Sequence, residues 1–137
     1  MIYAVIDTNV LVSALLTGNP LSPTKKILNM ITSGDITPLI NDEVIVEYNE
    51  VLHRSKFPFK SQDVDNLIFF MRKAGADTSR TTFAESMPDE SDRVFFEITL
   101  SVEDSFLVTG NLKHYPKKPQ VVTPAEFIAM FGALEEM

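Results

Sequence analysis

Asp7-Thr8-Asn9 interrupts an otherwise apolar opening, with residues 2–6 before it and Val10, Leu11 and Val12 after it. An acid, a hydroxyl and an amide in succession can hold a hard cation or cap the helix that follows, and the local pattern leaves both roles open. Asp92 is the second anomaly. At 100° per residue it falls between the directions of Phe95, Phe96 and Thr99, on the apolar side of its helix, while Arg93, Glu97 and Ser101 take the side expected to face solvent. An acid in a first turn also suits the helix dipole, but that does not explain why it faces the core. Glu47 stands at the margin between the apolar face of Val44, Ile45, Tyr48, Val51 and Leu52 and the polar stripe of Glu43, Glu50 and Arg54; on pattern alone it reads as a solvated acid. Thr109-Gly110-Asn111 follows an apolar run and reads as a turn or as a second polar strand end. Asp89 and Glu90 sit just before Asp92. Carboxylates brought together repel one another and are reconciled by a cation. Oxygen ligands in a chain without cysteine select Mg²⁺ or Mn²⁺.

The elements that must position these groups alternate. A continuous apolar strand at 2–6 suits a parallel sheet covered on both faces. A helix over 10–16 follows, then one from Ser22-Pro23 to Ser33-Gly34, with serine as cap and proline at the first position. The pattern then predicts a strand at 37–40, a helix from Asn41-Asp42 to Arg54, and a helix from Ser61 to a glycine cap at Gly75. Residues 77–83 are weakly strand-like. Pro88-Asp89 opens a helix to about Val102, 106–108 and 121–122 are strands, and Thr123-Pro124-Ala125-Glu126 is a capping box that starts the last helix. This is an α/β fold with a central parallel sheet, in one domain spanning 1–137. Asp7 and Thr109 both fall at strand carboxyl ends, where open α/β sheets bind ligands.

Composition narrows the function. The chain has 137 residues, 45% hydrophobic and 23% charged, with a net charge of −7. Contact with nucleic acid must therefore be local rather than a broad electrostatic attraction. Absence of cysteine fits a reducing compartment, and the interrupted opening, with no basic start, is not read as a signal peptide. No run is long enough for a membrane span, so a cytoplasmic protein is expected.

"VIDTNVLVSALL", "NDEVIVEYNEVLHRSKF", "PDESDRVFFEITL", "DSFLVTGNLKHYP" and "VVTPAEFI" resemble, in this order, the segments of PIN-domain proteins, and the likeness extends over nearly the whole chain. It points to the branch of toxins from bacterial toxin–antitoxin pairs. The resemblance implies an α/β/α sandwich and a Mg²⁺- or Mn²⁺-dependent ribonuclease, with RNA as substrate and an antitoxin and a homodimer as partners. It makes Asp7 the first metal ligand with Asn9 beside it, Glu47 the acid of the middle helix, Asp92 the third acid and Asp89 a supporting acid. Thr8, Asn9, Thr109 and Asn111 would orient ligands, water or phosphate. Asn111 departs from the pattern, because many members carry an acid there; the next residue in reach, His114, is not a carboxylate either. RNA contact would fall to Lys25, Lys26, Arg54, Lys56, Lys113 and His114.

Three other readings compete. A signalling module of flavodoxin-like topology also binds Mg²⁺ at strand ends, but needs an Asp after its third strand, where Thr81 and Thr82 stand, and a Lys after its fifth. A PIN fold retained for protein or RNA binding would accommodate Asn111. A metal-free ribonuclease would rely on His53 and His114.

Overall fold

The computed structural model describes residues 1–132. Five strands form one parallel sheet: β1 (Ile2–Ile6), β2 (Ile36–Ile40), β3 (Ala76–Asp77), β4 (Phe106–Val108) and β5 (Val121–Val122), in the order β3-β2-β1-β4-β5. The helices are α1 (Thr8–Leu16), α2 (Pro23–Ser33), α3 (Asp42–Leu52), α4 (Ser61–Ala74), α5 (Arg93–Leu100) and α6 (Pro124–Phe131). Alternate residues of a strand face opposite sides of a sheet, and Ala4, Val5 and Ile6 are all fully buried, so helices cover both faces of β1. α1 packs on α2 and α2 on α6; α3 packs on α4 and α5, and α5 lies against β1, β2 and β4. This is the expected α/β/α sandwich.

The chain builds outward from β1 to β2 and β3, then returns to place β4 on the other side of β1. Between β1 and β4 the direction of the strand order reverses, which opens a crevice at the carboxyl ends of those two strands. Asp7 and Thr109 stand there, joined by ladder bonds: the Asp7 N–H donates to Val108 O at 3.0 Å, and the Thr109 N–H to Val122 O at 2.9 Å. The order also removes the flavodoxin-like reading, whose sheet runs 2-1-3-4-5 and reverses between its first and third strands.

Local signals act as the sequence predicts at most ends. Ser22 accepts from the Lys25 N–H, Asn41 from the Val44 N–H, and Thr123 with Glu126 forms the capping box. Gly75 differs. Its φ of −80° is not left-handed, and its need for glycine is steric: a Cβ would lie 2.7 Å from Met71 O and 2.9 Å from Pro38 O. The weak strand at 77–83 reduces to the two residues of β3, and the helix expected from Pro88 is broken: a 3₁₀ turn, Glu90–Asp92, precedes α5. Asp89 is the cap of that turn, its carboxylate accepting from Ser91 N–H and Oγ. These side-chain bonds favour the tighter local turn over a continuous α-helix.

Candidate active site at the strand order reversal

Asp7 is 4% exposed. It holds the N-cap position of α1, yet its side chain makes no capping bond to that helix. Its Oδ2 accepts instead from Thr109 Oγ1 at 2.8 Å, Tyr115 OH at 2.9 Å and Asn9 Nδ2 at 3.1 Å. Burial raises the Asp7 pKa, and these donors only partly offset it. Asn9 also reaches across the crevice, its Oδ1 accepting from the Gly110 N–H at 2.9 Å. Gly110 permits that approach, since a Cβ there would meet the same oxygen at 3.2 Å. The Asn111 N–H donates to Thr109 Oγ1 at 3.0 Å, and the Asn111 side chain is exposed.

Glu47 enters from α3. Thr8 Oγ1 donates to Glu47 Oε2 at 2.7 Å, so the residue after Asp7 holds the second acid. Tyr48, fully buried beside it, donates its hydroxyl to Ile6 O at the end of β1. Burial and the charges of Asp7 and Glu47 push that phenol well above its ordinary pKa, as burial, Asp7 and Asp92 do for Tyr115. Both hydroxyls therefore stay protonated and act as fixed donors.

Asp92 comes from the start of α5, its side chain 14% exposed and making no capping bond. Its Oδ2 pairs with His114 Nδ1 at 2.9 Å, and Asp89 Oδ2 lies 3.5 Å from the same nitrogen. Burial first, and then the Asp7 charge, push the Asp92 carboxyl up to about 6. Asp7 and Asp92 thus face one crevice closely enough to repel. Among the described residues neither is paired with a lysine or arginine. Asp89, Asp92 and His114 each offer an atom within 4.8 Å of the others. That group does not include Asp7 or Glu47, and His114 meets Asp92 as a hydrogen-bond partner. What suits a hard divalent cation is the pair of Asp7 and Asp92 in mutual repulsion, with Glu47 held by Thr8 beside Asp7.

Glu97 departs from the expectation. It does not face solvent but is 6% exposed on α5. The helix face opposite the sheet is covered by the irregular segment that follows β3, which no helical period could foresee. Glu97 Oε1 accepts from Arg80 Nη2 at 2.8 Å and Nε at 2.9 Å, and Oε2 accepts from the Phe83 N–H at 2.9 Å. Arg93 donates to Phe83 O at 2.7 Å, Glu85 O at 2.9 Å and Glu90 Oε2 at 2.7 Å. This network pins the segment that delivers Asp89 and Asp92 to the crevice.

Sequence reasoning missed Tyr115 altogether and named His114 as an RNA contact or as the base of a metal-free ribonuclease, not as the partner of Asp92. Both lie in a polar, proline-flanked stretch whose pattern reads as loop. The turn at Leu112–His114 is what brings them back to Asp7 and Asp92. Of the bases expected to meet RNA, Arg54 is paired to Glu50 of α3, just before it in the chain. The two histidines have separate partners, His53 being held by Asp65 at 3.0 Å and by Asn49 O. That separation gives the metal-free reading no support.

The family described as "PIN domain" matches residues 3–113. The last of the five resembling segments, at 121–128, lies outside that span. No curated protein and no solved structure matches the chain. A match over most of the length agrees with the sheet order and the acids at its carboxyl edge: the chain belongs to the PIN-domain family, whose members are generally nucleases using divalent metal ions.

Proposed function

We propose that this protein is a Mg²⁺- or Mn²⁺-dependent endoribonuclease in which Asp7, Glu47 and Asp92 hold the ion, and that it is the toxin of a bacterial toxin–antitoxin pair. The observation that supports the nuclease chemistry is the repelling pair Asp7 and Asp92 at the strand order reversal, with no lysine or arginine beside them among the described residues. Such a pair is relieved by a cation from outside the chain. The toxin role, the antitoxin, the homodimer and the cytoplasmic location rest on the likeness of the five segments and on composition. Among the described residues no helix is long and apolar enough to cross a membrane.

A divalent ion in this position supplies a Lewis acid for the scissile phosphate and lowers the pKa of a water. The chain's own residues do the rest. Thr109, Tyr115 and Asn9 fix the Asp7 carboxylate, Thr8 fixes Glu47, and His114 orients Asp92. Rigid orientation of ligands by such neighbours sustains metal affinity. Thr109 and Asn111 follow β4 at the rim of the crevice, where the phosphate would enter.

Asp7→Asn is expected to abolish Mn²⁺-dependent cleavage of single-stranded RNA, with EDTA abolishing it in the wild type. Glu103→Gln, an exposed acid before β4, should leave cleavage unchanged. Equal loss in both variants contradicts the site. Asn111 favours one second reading, a binding module on the same fold; wild-type protein that cuts no RNA with Mn²⁺ would establish it.

A further inference from the structure

All four arginines are engaged by carboxylates: Arg54 by Glu50, Arg72 by Asp42, Arg80 by Glu43 and Glu97, and Arg93 by Glu90 and Glu97. Cationic charge for a partner must therefore come from lysine. Of the eight lysines, three fall in one short stretch, at Lys113, Lys117 and Lys118. No acid lies between Asp104 and Glu126, in a chain of net charge −7.

That stretch lines an open groove of about 650 Å³, with Lys113, Lys117 and Lys118 around an apolar floor that includes Leu112 and Pro116. Glu126 is the one acid in its wall, and one of its carboxylate oxygens accepts from the Thr123 N–H of the capping box. Tyr115 belongs both to the groove and to the crevice, because its hydroxyl donates to Asp7. His114, next to it, holds Asp92. The groove therefore adjoins the candidate active site through Tyr115, while Asp7, Glu47 and Asp92 are not among its lining residues. Pro116 and Pro119 bracket Lys117-Lys118 and restrict the backbone that presents them, which lowers the ordering cost of binding.

We infer that this groove is the track for the single-stranded RNA flanking the cleaved bond, with Lys113, Lys117 and Lys118 on its phosphates and Leu112 and Pro116 against its bases. The inference rests on the nuclease reading for its occupant. A polyanion suits a local lysine cluster on an acidic protein better than an acidic peptide does here, because the groove shares Tyr115 with the crevice whose acids suit phosphodiester chemistry. Each phosphate neutralised on a single strand adds ~0.7 to the slope of log affinity against log salt.

The test is fluorescence anisotropy of a short labelled oligouridine in EDTA across a salt series, with RNA integrity checked on a gel. Lys117→Gln/Lys118→Gln is expected to weaken binding and lower the salt slope by about 1.4. Lys60→Gln/Lys73→Gln at the two ends of α4, with the same change of net charge at exposed positions, is expected to leave the slope unchanged. A groove variant that shifts the slope no more than the α4 variant overturns the inference, as does RNA binding too weak to measure in the wild type. The nuclease reading fails separately: groove-dependent binding without any Mn²⁺-dependent cleavage sinks the enzyme and leaves the RNA track standing.

Discussion

α5 carries two acids that the chain treats in opposite ways. Glu97 is met by Arg80, Arg93 and the Phe83 amide, all from its own fold. The Phe83 N–H first, and then Arg80 and Arg93, hold its carboxyl below the ordinary glutamate range. Asp92, at the head of the same helix, is met by a histidine and two further acids, and is pushed up to about 6. The Glu97 cluster is electrically complete and its work is to hold the segment after β3 in place. The Asp92 cluster is incomplete, and completing it is the task assigned here to a divalent ion.

The largest expected effect comes from breaking the complete cluster. Glu97→Ala removes the buried carboxylate that Arg80 and Arg93 share, leaving them Glu43 and Glu90, and leaves the Phe83 amide without its acceptor. It should destabilise the protein by about 2–4 kcal/mol in urea denaturation in EDTA, with no need for Mn²⁺ to reveal the loss. A loss under half a kcal/mol would mean that the network is surface decoration. Because this segment carries Asp89 and Asp92, weaker Mn²⁺ binding is expected as a secondary consequence.

pH should separate the two acids by sign. An acid whose native pKa is raised costs the fold stability above that pKa, and the cost disappears as pH falls toward its unfolded value. Asp92→Asn in EDTA should therefore match wild type near pH 4 and gain on it through pH 6, by an amount on the order of 1–3 kcal/mol at pH 7. Glu97 has a lowered pKa, so its contribution is present above the unfolded value and is lost in acid; Glu97→Gln should lose most at pH 7 and least in acid. Urea denaturation of the three proteins between pH 4 and pH 7 checks both slopes. Parallel behaviour of the two variants would erase the distinction.

What the sequence made legible follows the same division. β1, α2, α3 and α6 were readable because each is written locally: a continuous apolar strand, a Ser-Pro start, an Asn cap, a capping box. Asp7 and Asp92 stood out because each breaks an apolar pattern where a chain rarely affords an acid. Glu97 misled because a helical period reports only which side faces the sheet, and cannot show that an irregular segment covers the other. Tyr115, and the pairing of His114 with Asp92, stayed hidden because the partners lie far away in sequence and no periodicity links them. The break between the 3₁₀ turn and α5 depended on the Asp89–Ser91 bonds, a competition between turn and helix too fine for pattern alone.

Thermal melts of wild type and Asp92→Asn, in EDTA and across a Mn²⁺ titration, test most directly that the crevice acids await a cation. At a hundredfold excess over Kd, Mn²⁺ should stabilise the wild type by about 2.7 kcal/mol. Asp92→Asn should be at least as stable as wild type in EDTA, because one repulsion is gone, and should gain much less from Mn²⁺. A variant that is destabilised in EDTA by a few tenths to about one kcal/mol, with its Mn²⁺ shift intact, would make Asp92 a helix-dipole acid and contradict the account.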